Sequence, residues 1–399
     1  MDVRSITEDE LEPFYSTFMR TMNFAPPQES YLEREKKTFV YDRSVAAFDA
    51  GTVVGTAYSH LFELTLPGGA QIPAAGVTAI ATASTHRRLG VVTNLKRRQL
   101  EEAAARSEVA AILLASEGRI YGRFGYGAAT LVADIDIRTK DALLPAPNSG
   151  GRLRIVDGAE ADKLFPSIWT QSCRRAGSIQ RPPHFWESAT ADRDKGHVHV
   201  VFENASGQPR GYVRYSSKAD WEAGGQPKHG LTIQEFISVD DVARLELWWY
   251  LLSLDLIRDV SAWSQPIDDP LRWALAEPRA LRTRAVRDMY WVRPLDVAKL
   301  LGSRTYALDI DVKLGVNDPL LDLGGTFALA GGPAGAMCEP TSAAADVQLS
   351  IGDLGAISLG GIVPSDLARA GRFDAPAPLL SRLDAAFLTS PRPWGAQHF

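Results

Sequence analysis

The segment Thr85-His86-Arg87-Arg88-Leu89-Gly90-Val91-Val92-Thr93 brings two guanidinium groups and a glycine to the opening of a helical run. A β-rich stretch, residues 76–82, precedes it. The helical run extends from Leu89 to about residue 106, with Leu89, Val92, Leu100 and Ala103 on one face at helical spacing and Lys96 interrupting that face. A strand that ends where such a helix begins leaves unpaired backbone N–H groups, a positive dipole end and two cationic side chains at one place. That combination suits a pyrophosphate. Gly90 lets the phosphates approach the backbone, and Val91, Val92 and Thr93 supply the first helical N–H donors. The plainer alternative is a surface helix start whose arginines are merely solvated.

The flanking residues favour the anion site. A second apolar strand, residues 109–114, follows the helix, and then comes Ala115-Ser116-Glu117-Gly118-Arg119-Ile120-Tyr121-Gly122-Arg123-Phe124-Gly125-Tyr126. This order of strand, R-R-x-G, helix, strand and a short tyrosine-bearing helix resembles the acetyl-CoA-binding core of the GNAT N-acetyltransferases. The pair T-H-R-R-x-G and A-S-E-G-x-I-Y-G-R-F-G-Y resembles the Eis family, the enhanced intracellular survival acetyltransferases. The resemblance implies acetyl-CoA as co-substrate, with no metal, held by Arg87, Arg88, Leu89, Gly90, Val91, Val92, Thr93, Ser116 and Glu117. The backbone amides of Ile80, Ala81 and Thr82 would pair with its pantetheine arm and hold the thioester carbonyl. It further implies that Tyr121 protonates the departing thiolate, that the terminal carboxylate of Phe399 deprotonates the amine, and that the assembly is a homohexamer.

His398 is an alternative base, with an ordinary pKa of roughly 6.5. The amine acceptor is open among aminoglycosides, polyamines and lysine side chains. Glu29, Glu33 and Glu35 lie in the segment that would line its pocket, interleaved with Arg34, Lys36 and Lys37. Where family members place an acidic residue after the first helix, this chain has Asn23-Phe24. Two other functions fit the same motifs: a tandem-GNAT transferase of another acyl group, and a non-catalytic protein that binds CoA or lipid.

The elements that would position these residues fall into three domains within the 399-residue chain. In residues 1–147 the pattern gives a strand at 3–6, a helix at 8–22, strands at 44–48 and 53–64, a hairpin at 67–69, the motif region and a strand at 128–137. A Pro- and Gly-rich linker, 145–151, separates this from 152–293. Sliding the chain by about 154 residues sets 232–238 on 78–84 and a helix at 242–257 on the first motif's helix; strands at 260–263 and 289–292 and a short helix at 270–276 follow. This second copy carries Asp240, Asp241 and Arg244 where the first has His86, Arg87 and Gly90, so it reads as a GNAT-like domain without a cofactor site, and Trp248-Trp249-Tyr250 as packing. Residues 294–399 put strands (305–312, 326–329, 336–339, 347–351, 357–359) before helices (365–370, 378–387), an α+β pattern. Asp353-Leu354-Gly355-Ala356-Ile357-Ser358-Leu359-Gly360 resembles the sterol-carrier-like domain of the Eis family. The expected fold is therefore mixed α/β and α+β: tandem GNAT domains, the first active, then a sterol-carrier-like domain.

A net charge of -5 argues against a dedicated nucleic-acid binder. Cys173 and Cys338 stand far apart without ligand-spaced histidines, which argues against a zinc site. No apolar run is long enough to span a bilayer, and Met1-Asp2-Val3-Arg4 opens no signal sequence, so the expected location is the cytoplasm or export by a signal-less route.

Overall fold

The computed structural model describes residues 1–190 and 196–399. The described chain divides into two compact units: unit 1 takes Met1–Thr130, Met289–Ser390 and His398–Phe399, and unit 2 takes Leu131–Asp288 and Pro391–Gln397. No helix among the described residues is long and apolar enough to cross a membrane.

In unit 1 the described residues form a seven-stranded sheet in the order Asp2–Arg4, Ser44–Asp49, Thr52–Thr65, Gln71–Thr82, Ala110–Leu114, Tyr290–Pro294, Gly127–Ala128. Gln71–Thr82 and Ala110–Leu114 run parallel and the helix Val91–Ala105 connects them. Its buried face is Val91, Leu95, Lys96, Gln99, Leu100 and Ala103. Val92 is half-buried against the same core as Leu100 and Ala103, whereas Leu89, expected on that face, precedes the first helical residue and is exposed. Lys96 does lie on it and is fully buried, its Nζ donating to Gln99 Oε1 at 3.0 Å and to Tyr126 OH at 2.8 Å. Burial holds this amine well below the usual lysine pKa, and the Arg293 guanidinium adds to the effect.

In unit 2 the sheet order is Leu281–Asp288, Leu131–Arg138, Ile257–Pro266, His229–Ser238, Pro209–Lys218, Val198–Glu203, Arg152–Val156. Two strands have thus changed places against expectation. The strand expected at 128–137 forms Leu131–Arg138 and pairs in unit 2, whereas that expected at 289–292 forms Tyr290–Pro294 and pairs in unit 1. Alternating burial fits a strand to either sheet, so local pattern does not choose the partner. The chain passes between units at 130–131, 288–289, 390–391 and 397–398, and the segment 145–151 read as a linker lies inside unit 2. Trp248 is fully buried and stacks on Phe236 at 4.8 Å, the packing role expected of it.

Unit 1 also holds a four-stranded sheet ordered Gly335–Pro340, Gly325–Gly332, Ile310–Asn317, Val347–Ser350, with helices Pro364–Arg369 and Ala377–Phe387. Residues 357–359, expected as a strand, instead end and follow the helix Ile351–Ile357. Ser350 caps that helix, accepting from the Asp353 amide at 3.1 Å while Asp353 Oδ2 accepts from the Ser350 amide at 3.3 Å. Its glycines bring bare backbone against the seven-stranded sheet: a Cβ on Gly355 would lie 2.2 Å from the Val292 carbonyl oxygen, and one on Gly127 1.9 Å from that of Gly352. Gly127→Ala is therefore expected to destabilise the protein by about 1–3 kcal/mol, read as a lower urea midpoint; an unchanged midpoint would show that this backbone contact yields freely.

Candidate active site

The site begins where parallel pairing stops. Gln71–Thr82 pairs with Ala110–Leu114 from Ala74 to Val77 and no further. Opposite Thr52–Thr65 the register shifts between Thr56 and Tyr58, and Ala79 takes φ +51. The bulge is held by Thr56 Oγ1, which donates to the Ala79 carbonyl at 2.8 Å. Beyond Val77 the strand consequently leaves its parallel neighbour, and Ile80, Ala81 and Thr82 line a cleft of about 730 Å³.

The far wall of the cleft is the loop into helix Val91–Ala105. After the turn Ser84–His86, Arg88 takes φ +66 and Gly90 φ +78, left-handed positions that turn successive backbone groups towards one side. Gly90 is the N-cap and no side chain caps the helix, so its first amides keep their donor capacity. His86 is tied down by contacts of Nε2 with Asp49 Oδ2 at 3.1 Å and Nδ1 with Thr85 Oγ1 at 2.8 Å. Arg87, Arg88, Gly90, Val91, Val92, Thr93, Ser116, Glu117 and Tyr121 all line the cleft. Leu89 does not; it points outward and is 61% exposed.

Arg119 and Arg123 also line it, as do Thr21 and Met22 from the end of helix Leu11–Thr21. The two arginines were present in the motif but not singled out, although a spacing of four residues puts them on one helical face. With Arg87 and Arg88 they make a cationic rim against the Glu117 carboxylate. Uncapped amides, a left-handed glycine and this rim fit a pyrophosphate and the adjoining phosphate of a coenzyme A ester.

Tyr121 closes the site from the second strand's side. It is buried, with its ring 6.1 Å from that of Tyr126 in an edge-on contact. Burial pushes its phenol up from the ordinary tyrosine pKa, a hydrogen bond with Ser116 opposes this, and the Glu117 carboxylate adds to it. The group is thus held as a proton-bearing phenol at neutral pH.

Phe399 lies outside the cleft lining but in the same unit. Its ring sits 4.9 Å from Phe62 and 5.8 Å from Tyr290, and it covers Gly76, where a Cβ would stand 3.4 Å from it. Gly76 immediately precedes Val77, the last paired residue of the fork. Among the acceptor candidates, Glu35 Oε2 accepts from Tyr15 OH at 2.6 Å and Glu33 pairs with Lys36 at 2.8 Å; neither these nor Glu29 lines the cleft.

Residues 2–129 and residues 177–294 each match a model of an acetyltransferase (GNAT) domain, and residues 297–396 match a sterol carrier protein domain. An uncharacterized N-acetyltransferase of Streptomyces avermitilis is 34% identical over 98% of this chain and 98% of its own. The N-acetyltransferase Eis of Mycobacterium tuberculosis is 33% identical over 84% of this chain and 83% of its own. The crystal structure of Eis1 from Mycobacterium abscessus superposes with a TM-score of 0.89 at 31% identity, covering 100% of both chains. Two GNAT domains, a sterol carrier protein domain and likeness to named Eis proteins over 84% of the chain or more show that the chain is an acetyltransferase belonging to the Eis family.

Proposed function

We propose that the protein transfers acetyl from acetyl-CoA directly to a primary amine in a ternary complex. The observation that carries this reading is a single cleft that joins an uncapped helix N-terminus and arginine rim to a buried tyrosine. The helix amides, Arg87, Arg88, Arg119 and Arg123 would hold the phosphates, while Ile80, Ala81 and Thr82 would hold the pantetheine arm and polarise the thioester carbonyl. The amine nitrogen then forms its bond to the carbonyl carbon and the C–S bond breaks. Tyr121 gives its phenolic proton to the thiolate, and the terminal carboxylate of Phe399 takes the proton lost by the amine. No acyl-enzyme is needed. Neither Cys173 nor Cys338 lines the cleft, and burial pushes their thiols up to about 12 and about 11, away from thiolate chemistry.

Aminoglycosides, polyamines and lysine side chains remain the acceptor classes of this reading. A homo-oligomer, hexameric as in the family resemblance, is part of it, supported by large apolar side chains left exposed on unit 2, among them Trp263 and Trp273. A second reading, transfer of a larger acyl group, uses the same phosphate contacts and differs only in the donor that turns over.

Three outcomes test the assignment. Tyr121→Phe is expected to lower kcat by about 10²–10⁴-fold with the Kd for acetyl-CoA unchanged, followed by thiol release and calorimetry; wild-type kcat in this variant would remove Tyr121 from the proton transfer. Arg88→Ala should weaken acetyl-CoA binding roughly tenfold, about the loss of one charge-assisted bond, and equal Kd values would place the phosphates elsewhere. Removing Phe399 alone is expected to abolish acceptor-dependent thiol release while His398→Gln retains it. The opposite pattern makes His398 the base.

A further inference from the structure

Unit 2 repeats the fork. His229–Ser238 and Ile257–Pro266 pair in parallel as far as Ile233 and Ala262, and a bulge at Gln234 shifts the register against Pro209–Lys218. The strand Ile257–Pro266 is irregular in turn between Ala262 and Gln265, with Ser264 at φ +52. In the 154-residue register Gln234, Glu235 and Phe236 align with Ile80, Ala81 and Thr82. The phosphate loop is missing: residues 239–240 alone separate strand from helix, where 83–90 do so in unit 1. Asp240 Oδ1 accepts from the Ala243 amide at 2.8 Å and so caps its own helix. The Arg244 side chain, bonded to Asp269 and Gln265, lies 4.7 Å from the Phe236 ring centre.

The space is taken by the chain's own end. The Trp394 indole Nε1 donates to the Ser264 carbonyl at 2.7 Å, and its amide donates to the Ala176 carbonyl at 2.8 Å. Arg175 Nε donates to the Arg392 carbonyl at 2.6 Å, and the Arg392 amide to Asp268 Oδ2 at 2.8 Å. Arg181 makes the last link: Nε donates to Gln397 Oε1 at 2.6 Å while another of its nitrogens donates to Glu235 Oε1 at 2.6 Å. Its guanidinium is fixed between Trp169 at 3.7 Å and Trp186 at 4.3 Å. Trp394 and Gln397 are both buried.

We propose that the fork of unit 2 is a receptor for this chain's own C-terminal segment, and that Trp394 and Arg181 are positioning residues for the terminal carboxylate. The first half stands on the contacts above; the second rests on the reading of Phe399 as the base. Only His398 lies between the anchored Gln397 and Phe399, so the anchor confines the carboxylate to roughly 7 Å of chain reach. A groove that in unit 1 faces a coenzyme thereby holds, in unit 2, a peptide with an indole and an amide as its recognition groups.

The test uses the full-length protein and three variants, Trp394→Phe, Trp394→Ala and Arg181→Met, each first shown by circular dichroism to be folded. Trp394→Phe keeps a ring and removes only the bond to Ser264, so it remains informative if the alanine variant misfolds. Carboxypeptidase is added and release of Phe399 is timed. Loss of one buried anchor should speed release roughly tenfold; release at the native rate in all folded variants overturns the receptor. In parallel, kcat should fall roughly tenfold with the acetyl-CoA Kd unchanged. Faster release without any change in kcat overturns the positioning role and leaves the receptor. Should removal of Phe399 itself leave turnover intact, the base assignment falls, and the carboxypeptidase rates still decide the receptor on their own.

Discussion

The structure turns on a parallel strand pair that stops pairing part-way. Beyond the break, the backbone groups that face the lost parallel neighbour need another partner, while the other edge of the strand stays paired. In unit 1 the break follows Val77, and the bulge at Ala79 aims the remaining strand at an open cleft. In unit 2 the break follows Ile233 and Ala262, and one of the freed groups, the Ser264 carbonyl, is met by an indole from the end of the chain. The same backbone device thus borders an open cleft in one unit and meets the chain's own end in the other.

What separates the two outcomes is the residues between strand and helix. Residues 83–90 are long enough to hold two left-handed positions, Arg88 and Gly90, and to reach a helix that no side chain caps. An anion can then complete the helix end. Residues 239–240 leave no such loop, Asp240 supplies the missing acceptor itself, and Arg244 is neutralised by Asp269. Carboxylate and ion pair do locally what phosphate would do from outside, and the fork meets the chain end through hydrogen bonds and rings.

Much of this was legible in the sequence because it is local. The Arg87-Arg88-Leu89-Gly90 turn, the tyrosine helix and the 154-residue repeat are all written in short windows, and the cleft gathers nearly every residue read from them. Leu89 escaped because a turn between two left-handed positions points it outward, contrary to a helical reading of its neighbours. Lys96 looked like a flaw in an apolar stripe, yet Gln99 and Tyr126 satisfy it, and one of those partners lies thirty residues on. The exchange of Leu131–Arg138 and Tyr290–Pro294 between sheets was invisible for the same reason: strand partners are chosen by contacts far apart in sequence. The helix Ile351–Ile357 was misread because its glycines, which lower helix propensity, serve close approach to another backbone.

A chain end is a poor place for a catalytic base unless something orders it, since ordering each residue costs about 1–2 kcal/mol and termini fray by default. The segment before Phe399 meets that cost in stages. Arg392 is held through both its amide and its carbonyl, Trp394 through its amide and its indole, and Gln397 through its side chain, so that most of the ordering is complete before the last two residues. Those two residues then need only the ring contacts of Phe399 with Phe62 and Tyr290. Unit 2, with only residues 239–240 between strand and helix, meets this segment at its own strand fork, through the Ser264 carbonyl and the Glu235-bound Arg181.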